Sequence, residues 1–236
     1  MPIKNFRFIL TKTTTLLLYL RTIKFKGYGT INMKTKIHLI LFFIFCRLFI
    51  AYSQTLDPVL ETQVKNGDII FIKTNKANSF LPNGNSKFNY AGVIFIEIDV
   101  PIVYYATEPL KKCNLEEFKK LSIGGEFIIK RLIEQEVLTE DVISRMHGWV
   151  KAKLGIHYDN KINLNNDELY NAEFVWKVYK SCLGLPLSEP KELKEYKIED
   201  GNSKEFLLDA FGPKIFDEKM VAIGDIYRST FLEEKP

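Results

Sequence analysis

In Tyr170-Asn171-Ala172-Glu173-Phe174-Val175-Trp176-Lys177-Val178-Tyr179 the sequence places an apolar stripe behind a polar first turn. The stripe (Leu169, Ala172, Val175, Tyr179 and Cys182, three and four residues apart) predicts a core helix entered from Asn165-Asn166-Asp167. The dipole of such a helix favours negative charge in its first turn, where a nucleophilic anion gains most. Asn171 stands there, and an amide is not a nucleophile. Cys182 falls about three turns later, near the negative end of the helix, where a thiolate is disfavoured. Cys113, in a loop before a shorter helix, is better placed electrostatically, but nothing local supplies it with a base. His147 lies beside the apolar stripe of a middle helix and reads as a satisfied, partly buried histidine. His157 heads a loop cluster, His157-Tyr158-Asp159, suited to hydrogen-bonding a neighbouring backbone. Two histidines without carboxylates at ligand spacing predict no metal site. No phosphate-cradling glycine loop, dinucleotide fingerprint or Gly-x-Ser-x-Gly elbow is present, so no cofactor is expected.

Around these residues the chain predicts one α+β domain, with most of its strands ahead of the main helices. Asp68–Lys73, opened by the turn pair Asn66-Gly67, reads as a strand, as do Ala91–Ile98, Pro101–Thr107, 126–132 and finally Val221–Tyr227. Residues 74–89 are rich in Asn, Ser, Gly and Pro and read as a loop. Asn114 is placed to cap a short helix over 115–121. Thr139 opens a helix with the stripe Val142, Ile143, Met146, Val150 and Leu154, which Gly155 would end. Residues 190–196 and 203–210 read as short surface helices.

A chain of 236 residues, 46% hydrophobic and 26% charged, can bury one good core. Its formal charge of +4 is unevenly spread. Residues 1–53 carry nine Lys or Arg and no acid, leaving 24 basic against 29 acidic side chains in 54–236, a net of −5. That balance argues against a nucleic-acid partner. Met33-Lys34-Thr35-Lys36, the apolar run from Ile37 to Ala51 and the small residues of Ala51-Tyr52-Ser53 have the layout of a secretory signal cleaved before Gln54. Arg47 interrupts the run and weakens a permanent span, so a membrane is expected only through this segment if it stays uncleaved. Residues 1–32 read as an upstream extension ahead of the true start at Met33, and 54–236 as an exported domain, periplasmic or extracellular. In an oxidising compartment Cys113 and Cys182 could pair; free, partly buried thiols are the blander reading.

The order of the pieces over roughly residues 64–230 resembles the permuted papain-like amidases of the YiiX/YebB type, within the NlpC-like superfamily. The matching pieces are Gly67-Asp68-Ile69-Ile70-Phe71, Asn89-Tyr90-Ala91-Gly92-Val93, Tyr104-Tyr105-Ala106, Leu115-Glu116-Glu117-Phe118, Gly155-Ile156-His157-Tyr158-Asp159 and Tyr170-Asn171-Ala172-Glu173-Phe174-Val175. The resemblance implies a central antiparallel sheet packed against the helix that starts near Tyr170. It also implies that the nucleophilic cysteine of the family is replaced by Asn171, its histidine by Tyr90 and its orienting residue by Tyr105. Asp68, Tyr158 and Glu173 would join these three around the former active-site cleft.

Asn, Tyr and Tyr cannot run thiolate attack with an imidazole as base and acid. Three readings stay open. The protein is an inactive relative that binds a peptide, a peptidoglycan fragment or a lipid-like amide. Alternatively it is a hydrolase using other groups, such as Cys113, or Tyr90 with Glu173. Or it is an envelope interaction protein whose cleft is closed by Tyr90 and Tyr105.

Overall fold

Every residue of Ile69-Ile70-Phe71-Ile72 is apolar because strand β1 (Ile69–Ile72) is buried on both faces. This computed structural model describes residues 64–75, 80–198 and 201–235; the expected upstream extension, signal segment and cleavage point lie outside them. β1 sits inside a six-stranded sheet with β2 (Tyr90–Glu97), β3 (Val100–Tyr105), β4 (Lys111–Asn114), β5 (Phe127–Leu132) and β8 (Leu232–Lys235), in the order β4-β3-β2-β1-β5-β8. All neighbouring strands are antiparallel, with Phe71 opposite both Ala91 and Ile128.

The two faces separate by strand alternation. Ile69, Phe71, Ala91, Val93, Phe95 and Tyr104 face helices α2 (Glu140–Ala152) and α3 (Asn171–Leu183). Ile70, Ile72, Tyr90, Ile94, Val103 and Tyr105 face the short helix α1 (Leu115–Lys119), through Leu115 and Phe118. Gly92 is required where β2 meets β3, since a Cβ there would stand 2.4 Å from Val103 Cγ1 and 2.9 Å from the Tyr104 carbonyl oxygen.

Phe174, Val175, Val178 and Tyr179 of α3 are fully buried, each stabilising the fold by about 1.5–3 kcal/mol relative to exposure. The Tyr179 hydroxyl donates to the Gly67 carbonyl, tying the helix to the turn before β1. Gly184 ends α3 in the left-handed conformation (φ 69°), where its N–H reaches the Lys180 carbonyl at 3.0 Å.

Several expectations are corrected. Tyr170, not Asn165-Asn166-Asp167, is the N-cap of α3: it is extended (φ −86°, ψ 170°), and its N–H is taken by the Glu173 carboxylate. Residues 221–227 form no strand. The Val221 N–H goes to the Tyr170 hydroxyl and the Gly224 N–H to the Asn83 carbonyl, so the apolar run folds into helix α5 (Ile223–Tyr227). The last strand is β8. Residues 190–196 form β6 (Lys191–Glu192) and a 3-10 turn instead of a helix, because β6 pairs with β7 (Lys219–Met220). Cys113 lies on the edge strand β4, whose Lys-Lys-Cys-Asn sequence carries no strand pattern of its own. α2 stops at Ala152, so Leu154 falls outside it. The helix expected over 203–210 is α4 (Gly201–Phe211).

Candidate functional site

The site begins where β3 leaves the sheet. Pairing between β2 and β3 starts at Val93 opposite Tyr104, so the peptide groups of Ala91 face no strand neighbour on that side. Asn171, at the first position of α3, fills the gap: its Oδ1 accepts the Ala91 N–H at 2.8 Å and its Nδ2 donates to the Ala91 carbonyl at 2.8 Å. The same Nδ2 lies 3.5 Å from the Ala106 carbonyl oxygen, which also accepts the Tyr90 hydroxyl at 2.6 Å. Asn171 and Tyr90 therefore meet at one buried carbonyl.

Tyr105 stands behind Tyr90. Their rings cross edge-on at 6.1 Å, and Phe118 stacks on Tyr90 at 6.1 Å and meets Tyr105 at 5.0 Å. Asn171, Tyr90 and Tyr105 are each no more than 5% exposed. Burial pushes both phenols above their ordinary range, so neither serves as a base near neutrality. The Tyr105 hydroxyl also donates toward the Cys113 sulfur, and burial pushes the Cys113 thiol up. That is the wrong direction for a nucleophile. Cys113 and Cys182 are both free.

On the solvent side of Asn171 opens a cleft of about 300 Å³, whose walls include Phe80, Leu81, Tyr158, Ile198 and Ile223 as well as Tyr90 and Asn171. Tyr158 is held there because its N–H donates to Glu108 at 2.8 Å and Asp159 binds the N–H groups of Lys161 and Asn163 at 2.7 and 2.8 Å. Among the described residues the lining contains no Cys, His, Asp or Glu.

Three of the six residues expected at the cleft are elsewhere. Tyr105 does not line it and packs instead against Tyr90 and Phe118. Glu173 is fully buried beneath the helix start, where Lys177 Nζ approaches one oxygen at 2.8 Å; burial, partly offset by Lys177, pushes its carboxyl up to about 7. Asp68 is fully buried at the far end of the sheet, gripped by Arg131 through two contacts of 2.6 Å.

The histidines serve structure. His147 stacks on Phe95 at 4.8 Å, with Nε2 2.8 Å from Glu97, as a partly buried, satisfied residue. His157 is exposed, and its Nδ1 meets the Glu108 side chain at 2.7 Å rather than a backbone group. The cluster around Glu97, and the Tyr170 hydroxyl that takes the Val221 N–H at 2.8 Å, went unread in the sequence. Only tertiary contact joins residues so far apart in the chain.

The chain is similar to known proteins. The uncharacterized protein YiiX of Escherichia coli (strain K12) is 25% identical over 177 residues, covering 74% of this chain and 87% of that protein. A crystal structure of metalloprotein yiiX from Escherichia coli O157:H7 superposes with a TM-score of 0.66 at 24% identity, covering 74% of this chain and 97% of that one, a likeness of fold. Residues 63–232 match the pattern of the permuted papain-like amidase enzymes, YaeF/YiiX, C92 family. With that match spanning most of its length, the chain belongs to the permuted papain-like amidases of the YaeF/YiiX type.

Proposed function

We propose that this protein is an exported member of the family that does not hydrolyse amides and uses the cleft beside Asn171 to bind a ligand. The observation that carries the reading is the two-point bond between the Asn171 amide and the peptide of Ala91. The residue at the nucleophile's position is spent on holding β2. Tyr90, at the position of the base, is likewise spent on the Ala106 carbonyl. Groups that act as a unit in catalysis lose most of the rate when the nucleophile goes. The related yiiX is described as a metalloprotein, but the cleft of this chain offers no carboxylate, thiolate or imidazole to hold a metal, and no group of such ligands occurs among the described residues.

The test combines hydrolysis and binding on the mature protein. Incubation with muramyl dipeptide and with N-acyl amides should give no product above buffer, while calorimetry should detect saturable binding of at least one of them. Turnover that disappears in Cys113→Ser would replace this reading with a hydrolase using Cys113. No binding of any probe would favour an interaction protein with a closed pocket, a reading supported by the packing of Tyr90, Tyr105 and Phe118. Export rests on the pattern of residues 33–53: the protein recovered outside the cytoplasm should begin at Gln54, and an intact start at Met33 would refute cleavage.

A further inference from the structure

We infer that the end of the sheet remote from the cleft is a two-fold interface between copies of this chain, in which Ile98 of each copy enters an apolar groove of the other. The inference is independent of what the cleft binds.

Ile98 and Asp99 form the two-residue turn between β2 and β3, closed by the pair of Glu97 and Val100. Both have positive φ, 48° and 62°, the combination that hairpins favour and that Asn-Gly adopts most easily. A β-branched side chain is strained there. Ile98 nonetheless holds the first place of the turn, and it is 95% exposed. Within one copy the strained residue gains no burial in return. An apolar side chain kept at such a tip is explained by a contact outside its own chain.

The receiving surface lies at the same end. β2 and β5 flank β1 and run in one direction, so both end where β1 begins. There opens a groove of about 400 Å³, whose walls include Val64, Ile96, Leu138 and Ile143 together with Lys65 and Arg131. Val100, Ile133 and Phe231 are exposed at this end too, with the Ile133 N–H donating to the Phe231 carbonyl at 3.0 Å. Charge identifies the occupant as a second copy. The tip carries Asp99, exposed beside Ile98, and the groove carries Lys65, exposed, with Nζ 3.0 Å from Gln135 Oε1. Arg131 and Glu97 are committed within the chain, to Asp68 and Lys112, so Asp99 and Lys65 carry the match. An apolar knob beside an acid and an apolar hole beside a base, on one face, are self-complementary, as a two-fold axis requires. Ile98 and Asp99 of one copy meet the groove and Lys65 of the other, and the reverse contact forms at the same time.

Sedimentation velocity of the mature protein, from about 1 μM to about 1 mM, should show monomer passing to dimer. Ile98→Asn should weaken association about a hundredfold or more, because the tip is buried twice in each dimer. At a dilution where the wild type is monomeric, the same variant should melt about 2–4 °C higher, since Asn suits the turn. A lost fold then cannot account for a lost dimer. Lys65→Glu and Asp99→Lys should each weaken self-association about tenfold by placing like charges together. An equimolar mixture of those two variants should dimerise like wild type, because one ion pair is kept and the other re-forms reversed. A wild type that stays monomeric throughout overturns the inference. So does an Ile98→Asn variant that dimerises like wild type, or a mixture that associates no better than its components.

Discussion

Two glutamates near opposite ends of β2 have opposite fates. Glu97 closes the strand in a half-open cluster, hydrogen-bonded by Tyr104 at 2.5 Å, Lys112 at 2.6 Å and His147 at 2.8 Å. Burial opposes its charge, but these three donors, Lys112 foremost, outweigh it and hold the carboxyl down at about 2. Glu173, near the other end, is sealed beneath the start of α3, and burial lifts it to about 7 despite Lys177. Asp68 and Arg131 belong with Glu97, at the end of the sheet away from the cleft. The carboxylates of Glu97 and Asp68, with their basic partners, therefore sit at the end remote from the cleft, where they serve stability. The inner wall of the cleft, around Asn171 and Tyr90, is held by neutral amides and phenols.

Removing a partner from the far end tests this contrast most severely. Arg131→Met would leave the Asp68 carboxylate buried and unpaired, and should destabilise the protein by about 3–5 kcal/mol in urea unfolding. A loss below about 1 kcal/mol would show that water reaches Asp68.

Glu173→Gln should have the next largest effect, and its sign depends on pH. The folded carboxyl keeps its proton up to about 7, whereas the unfolded one releases it near 4.5. Between those values the folded state binds more protons, so wild-type stability falls as pH rises through the window. The variant should lose that fall and become more stable than wild type by about 3 kcal/mol above about pH 7, with little difference below about pH 4.5. Parallel pH–stability curves for the two proteins would contradict a raised Glu173.

Glu97→Gln should act in the opposite sense. With a folded value of about 2 against 4.5, Glu97 adds stability that is complete above 4.5 and lost as pH falls through 2. Solvent screens this half-open cluster, so the variant should be less stable by about 1 kcal/mol at neutral pH, a gap closing in acid. Melting curves between those pH values measure it.

The strands β1, β2 and β3 were legible as apolar runs of strand length bounded by turn residues, β5 by its alternation, and the helices α2 and α3 by apolar residues three and four apart. β4 and β8 were not: Lys111-Lys112-Cys113-Asn114 and Leu232-Glu233-Glu234-Lys235 are edge strands, half solvated, and become strands only through their neighbours. Residues 221–227 misled because an apolar run serves a buried strand or a buried helix equally well. At the site, the order of motifs drew attention to Asn171, Tyr90 and Tyr105; the first two meet at the Ala106 carbonyl, whereas Tyr105 packs against Tyr90 and does not line the cleft. It could not separate Asp68 and Glu173 from the cleft, since a buried carboxylate looks the same in sequence whether it faces a ligand, an arginine or a helix cap.

By itself the sequence determined the order of motifs, and with it the expectation that Asn171, Tyr90 and Tyr105 stand where nucleophile, base and orienting residue would. Side-chain type is a local property, and no packing turns an amide into a thiolate. The tertiary structure decided what those residues do instead. Asn171 completes the open edge of a strand 80 residues away, and Tyr90 caps a carbonyl 16 residues away. Such hydrogen bonds depend on where β3 leaves the sheet and how α3 docks against β2, which only the packed fold sets.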